Sequence, residues 1–112
     1  MASYLFYGMQ GAKMCFQHVL LNALDLHEAG HTVRIIFEGE TVKLPPMLHE
    51  EGNPLYKQCL DLDLIAGVCQ ACSHQLGVLN AIKALGLPLL NDMSGHAGMK
   101  PFIEDGFDVM VF

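Results

Sequence analysis

The stretch Leu64–Val78, LIAGVCQACSHQLGV, passes from an apolar, β-branched run into a segment with helical spacing, and carries Cys69 and Cys72 at the junction. A strand feeding directly into a helix is the core of a βαβ unit, and its neighbours repeat the pattern. Before it, Asn53 and Pro54 suit the cap and first position of a helix reaching Leu62. Upstream, Ser3–Tyr7 reads as a buried strand stopping at GMQG. Apolar Phe16, Val19, Leu20, Ala23, Leu24 and Leu26 then predict a helix over 12–29 closed by Gly30, and HTVRIIFEG predicts a second strand. The segment ETVKLPPMLHEEGN, with Pro45 and Pro46 and no sustained period, reads as an ordered loop.

Downstream, the spacing predicts one helix over 70–85 with Leu76, Leu79, Ala81, Ile82 and Leu85 on its apolar side and Gly86 at its end. LPLL gives a short fourth strand, residues 100–105 a helical turn or two, and FDVMVF a last strand. Strands alternating with helices predict a single domain spanning residues 1–112: a three-layer α/β/α sandwich with a mainly parallel sheet of about five strands. In such sheets ligands and chemistry gather at the carboxyl ends of the strands. That edge collects Gly8–Gly11, Glu38–Glu40, Cys69 and the NDMSGHAG loop.

Composition narrows the function. Of 112 residues, 52% are hydrophobic and 16% charged, an apolar excess that favours contact between subunits. The net charge of −6 comes with no basic cluster, which argues against nucleic acid as a partner. The apolar runs fall short of the roughly 20 residues needed to cross a bilayer, and MASYLFYG does not read as a secretion signal. The expectation is a cytoplasmic protein whose four cysteines are thiols, catalytic groups or ligands rather than structural bridges. GMQGAKM matches neither the dinucleotide nor the Walker pattern, so no cofactor is expected.

Chemistry concentrates at Cys69. A thiol between a strand and a helix start lies near unpaired N–H groups and the positive end of the helix dipole, which predicts a stabilised, nucleophilic thiolate. Cys72, one turn on, either interacts with that sulfur or packs as a small hydrophobe. A zinc site needs four ligands, and no second C-x-x-C or His pair stands at finger spacing; His74, Cys15 or His96 are the residues able to complete one through the fold. Cys15 is a candidate resolving thiol with a packing role as the more economical reading, and Cys59 is assigned to the core. His96, on a loop read as flexible, is a candidate donor to a thiolate or ligand contact. His18, His27 and His31 take helix-surface or cap roles, His49 sits in the proline loop, and His74 adds positive character near Cys69. Glu38 and Glu40 flank Gly39 and read as ordinary loop carboxylates rather than a general base.

VCQACSHQLGV, in a chain beginning YLFYGMQGAKMCFQHVLLNALDLHEAGHTVRIIFEGE, resembles the DsrE/DsrF-like family of sulfur-trafficking proteins along nearly its whole length. The most specific likeness is Val68-Cys69 opening a helix with Gly77-Val78 following. The resemblance implies a sulfur carrier or sulfurtransferase-like protein with Cys69 as the persulfide-accepting thiol, a protein sulfur donor or acceptor as partner, and a homo-oligomer, trimer or hexamer. Where relay members often carry small residues and arginines, this chain has Cys72, His74 and Gln75. Two other readings stand beside it: an oligomeric, non-enzymatic module holding a small ligand or metal with Cys69, Cys72 and His96, and a C-x-x-C thiol–disulfide protein.

Overall fold

The computed structural model describes residues 1–112. Five strands, β1 (Ser3–Gly8), β2 (Thr32–Phe37), β3 (Ile65–Cys69), β4 (Leu89–Leu90) and β5 (Asp108–Val111), form one sheet in the order β4-β3-β2-β1-β5. Every pairing is parallel. Helices α1 (Lys13–Glu28), α2 (Leu44–Glu50), α3 (Pro54–Asp61), α4 (Gln70–Gln75), α5 (Leu79–Leu85) and α6 (Lys100–Glu104) complete the three-layer α/β/α sandwich expected from the alternation.

Side-chain alternation sorts the two faces. The register sets Phe6 opposite Ile35 and Gly8 opposite Phe37, so these residues share a face, and Phe16 of α1 packs on Phe37 with ring centroids 5.0 Å apart. Gly8 is required there, because an added Cβ would come within 2.8 Å of the Phe16 ring. Leu5, Tyr7 and Ile36 point the other way, where the Tyr7 hydroxyl meets the Ala97 carbonyl. Leu5, Ile35 and Ile36 are wholly buried, as expected of a parallel sheet covered on both sides.

Two segments depart from the sequence reading. Residues 39–43 form a 3-10 turn that runs into α2, so the proline segment is helical rather than a loop. Pro45 and Pro46 fall in the first turn of α2, where a missing N–H costs no intrahelical bond, and Val42, Leu44 and Leu48 become core. The helix expected over 70–85 is two, α4 and α5, separated at Gly77, whose φ of +76° ends the first. Of its supposed apolar side, Ile82 is buried while Ala81 is exposed. The cap assigned to Asn53 is present: its Oδ1 accepts from the N–H groups of Leu55 and Tyr56, both at 3.0 Å.

At Gly67 the sheet closes toward its edge. A Cβ there would lie 2.7 Å from Leu90 Cγ and 2.8 Å from the Pro88 carbonyl, so glycine is what lets β4 pair with β3. That pairing sets the course of the chain into the NDMSGHAG loop.

Candidate metal centre

Four side chains converge at the carboxyl edge of β1, β2 and β3: Glu38, Cys69, Cys72 and His96, with one donor atom from each lying within 4.8 Å of every other. Glu38 directly follows β2, Cys69 ends β3, and Cys72 lies in the first turn of α4. Adjacent parallel strands, with Phe37 paired to Val68, deliver the first two side by side.

His96 arrives by a different device. Met93 and His96 exchange backbone hydrogen bonds of 2.9 Å in both directions around Ser94 and Gly95, whose φ angles are +51° and +89°. This is a two-residue hairpin turn with both central residues left-handed, a conformation glycine accepts readily. The Gly95 carbonyl accepts from Ala71 N–H at 2.9 Å, fastening the turn to α4, and Asp92 Oδ1 accepts from Gly98 N–H at 3.0 Å. The loop read as flexible is thus held at both ends, and its imidazole is fixed over the two cysteines.

The contacts are mutual. His96 Nδ1 lies 3.3 Å from Cys69 Sγ, 3.5 Å from Cys72 Sγ and 3.4 Å from Glu38 Oε1. Cys72 Sγ donates to Glu38 Oε1 at 2.7 Å. The second carboxylate oxygen is held from outside the cluster: Ala97 N–H donates to Oε2 at 3.1 Å, and the Tyr7 hydroxyl lies 3.1 Å from it and 2.7 Å from the Ala97 carbonyl. Gly39 N–H donates to Oε1 at 3.1 Å. The Thr41 hydroxyl sits between the carbonyls of Gly8 and Glu38, at 2.9 and 2.7 Å, which locks the backbone from which Glu38 projects.

Electrostatics overturn the expectation of a reactive Cys69 thiolate. Cys69 is at a helix start, and its sulfur accepts from Cys72 N–H at 3.4 Å. It is also fully buried, and α4 is only six residues long, so few peptide dipoles add up behind it. Burial pushes the Cys69 thiol up, the neighbouring Glu38 adds to this, and the N–H groups of Cys72 and Ala97 fail to offset them. The Cys72 thiol is pushed up to about 12 by burial, then by Glu38 and Cys69. For Glu38, burial is the largest influence and raises it, but hydrogen bonds from Cys69, Cys72, Gly39 N–H and His96 together hold the carboxyl below its ordinary value. The centre sets the Glu38 carboxyl against two thiols whose pKa values are raised, and no Lys or Arg stands among its hydrogen-bond partners. A relay thiol poised as an accessible anion is therefore not what the fold builds; Cys69 is one member of a Glu/Cys/Cys/His cluster.

Among the other candidates, Cys15 is exposed on α1 beside Gln10, Phe16, Val19 and Phe112, apart from the cluster. Cys59 is buried in the core, as assigned. His74 and Glu40 are exposed and are not among the clustered donors. His31 Nδ1 accepts from Ala2 N–H at 3.0 Å, and His49 is exposed. Glu38, read as an ordinary loop carboxylate, is instead 3% exposed and belongs to the centre. Tyr7 carries no role in the sequence reading; its place at the end of the Ser3–Tyr7 run, just before GMQG, is the signal that sets it at this edge.

The sequence is 36% identical over 93 residues to uncharacterized protein MJ0733 of Methanocaldococcus jannaschii, an alignment covering 83% of this chain and 76% of the archaeal protein. The chain belongs to the family of MJ0733. No protein-family profile matches the chain, and no solved structure matches it. No helix is long and apolar enough to cross a membrane.

Proposed function

We propose that this protein is a metal-binding module that holds one transition-metal ion of the zinc class through Glu38 Oε1, Cys69 Sγ, Cys72 Sγ and His96 Nδ1. The observation that carries the reading is the convergence of these four donors from three separate segments of the chain, at Glu38, Cys69–Cys72 and His96. Bond lengths of about 2.0–2.3 Å to oxygen, nitrogen and sulfur place tetrahedral donors about 3.3–3.8 Å apart. The separations of 3.3, 3.4 and 3.5 Å from His96 Nδ1 match those edges, while the 2.7 Å hydrogen bond from Cys72 Sγ to Glu38 Oε1 has to open by roughly 0.8 Å as the ion replaces its proton. Two thiols, an imidazole and a carboxylate also form a donor set suited to zinc or cobalt rather than to magnesium or calcium.

The raised thiol pKa values are compatible with this role. A divalent ion removes the proton of a coordinating thiol outright, so binding would release the thiol protons. The outer contacts fit as well: Tyr7 and Ala97 N–H hold Glu38 Oε2, leaving Oε1 directed at the centre. Protein purified without an affinity tag is expected to carry one equivalent of zinc-class metal by elemental analysis, and Cys69→Ala to carry none. Metal-free wild-type protein that also fails to take up zinc would remove the reading.

Family placement and assembly extend the proposal. The order of elements and the Val68-Cys69 strand end support a DsrE/DsrF-like variety of this fold. Exposed Met110 on edge strand β5 and Phe112 just beyond it support a homo-oligomer. Four free cysteines suit a reducing, cytoplasmic setting.

A further inference from the structure

Above the cluster lies an apolar recess of about 480 Å³, walled by Tyr7, Met9, Met93, Met99 and Val111, with Glu38, Cys72 and His96 at its floor. We propose that the recess admits a small apolar thiol, whose sulfur binds the metal held at the cluster. This rests on the metal reading and names what the centre acts upon.

Volume and lining set the size and character of the guest. The recess is wide and open to solvent, room enough for a small organic guest to lie against it, and its walls are hydrocarbon and thioether. Apart from the donor groups themselves, the lining side chains bring one hydroxyl, that of Tyr7, and it already hydrogen-bonds inward to the Ala97 carbonyl at 2.7 Å. A sugar, nucleotide or amino acid would find its polar atoms unmatched there.

Charge sets the head group. Two thiolates, a carboxylate and a neutral imidazole around a divalent ion leave the centre with one net negative charge, and no Lys or Arg lines the recess. An anionic carboxylate or phosphate is repelled, whereas a neutral head that loses a proton only on binding is not. Among such heads a thiol matches an ion already surrounded by sulfur and nitrogen. The balance of the step is simple: the guest S–H bond breaks, its proton passes to the Glu38 carboxylate whose bond to the ion is released, and a sulfur–metal bond forms, so the net charge stays at one negative. The bond yielded is the one to Glu38 Oε1, the hardest donor, whose carboxylate stays in place through Ala97 N–H and Tyr7 on Oε2 and Gly39 N–H on Oε1. No oxidant or reductant is consumed.

The test uses cobalt-loaded protein and 1-butanethiol, followed by the visible and near-ultraviolet absorption of the ion. Butanethiol is expected to shift the bands saturably, with new sulfur-to-cobalt intensity, while butanoate and 1-butanol at equal concentration leave them unchanged. Val111→Arg, at a position 59% exposed, is expected to weaken the butanethiol response about tenfold while cobalt affinity stays that of wild type. Cobalt bands that are indifferent to butanethiol, that respond equally to butanoate, or that vanish because the thiol strips the ion overturn the proposal and leave the metal centre standing. Absence of cobalt bands in untreated protein overturns both.

Discussion

Cys59 and Cys69 are equally buried and neither is a reactive thiolate, yet they belong to different kinds of place. Cys59 sits on α3 in the apolar core, where burial alone pushes its thiol up to about 12. Cys69 is surrounded by an imidazole, a second thiol and a carboxylate, with two backbone N–H groups opposing the rise. Burial describes both; what separates them is the set of groups gathered around the sulfur. A buried thiol among hydrocarbon is packing, whereas a buried thiol among other donors is chemistry waiting for a cation.

Substitution at the two sulfurs should break the comparison most sharply. Cys69→Ala is expected to lower zinc affinity by more than about 100-fold in a chelator competition, since outer contacts alone are worth about 10–100-fold. Cys59→Ala should leave zinc affinity unchanged and cost about 1 kcal/mol in urea denaturation. Equal losses of affinity in both would show that the centre depends on general packing rather than on its donors.

Gly67→Ala tests whether the sheet edge positions the centre. The added methyl meets Leu90 and the Pro88 carbonyl, so unfolding free energy should fall by about 1–3 kcal/mol. Zinc affinity should fall with it, because β4 leads the chain to His96; unchanged affinity would detach the edge from the site. Tyr7→Phe is a smaller perturbation. It removes the hydroxyl between Glu38 and Ala97 and should weaken zinc about tenfold with little change in the folded structure.

Alkaline pH sharpens the packing side of the contrast. Cys59 and Tyr56 are each raised to about 12 by burial, so the folded state holds their protons more tightly than the unfolded chain. Their stabilisation is intact below the unfolded values, about 9 for the thiol and 10 for the phenol, and drains away as pH rises toward 12. Urea midpoints should therefore fall above about pH 9, and Cys59→Ala should show a shallower fall. A pH-independent midpoint over that range would contradict the assigned burial.

Much of the architecture was legible because its signals are local. Apolar runs ending in glycine, the Asn53-Pro54 start of α3 and the strand-to-helix passage at Cys69 each follow from neighbouring residues. The proline segment misled because Pro45 and Pro46 break a helix interior but not a first turn. Gly77 does not announce itself as a break because apolar spacing continues on both sides of it.

The centre was legible in part. Cys69, Cys72 and His96 stood out by residue type and by their place at strand ends, and the structure brings all three together. Glu38 stands at the same edge in the sequence but reads as an ordinary loop carboxylate, and Tyr7 carries no role there, since the parts of both arise from the pairing of β1, β2 and β3, separations that no local pattern records. The expected thiolate failed for a related reason: a helix start is visible in sequence, while the carboxylate and the burial that oppose it come from elsewhere in the chain.

The most direct measurement is a crystal structure of zinc-loaded protein with data collected on both sides of the zinc absorption edge. The account predicts one anomalous peak bonded to Glu38 Oε1, Cys69 Sγ, Cys72 Sγ and His96 Nδ1 at about 2.0–2.3 Å. Zinc bound elsewhere, or a Cys69–Cys72 disulfide in its place, would contradict it.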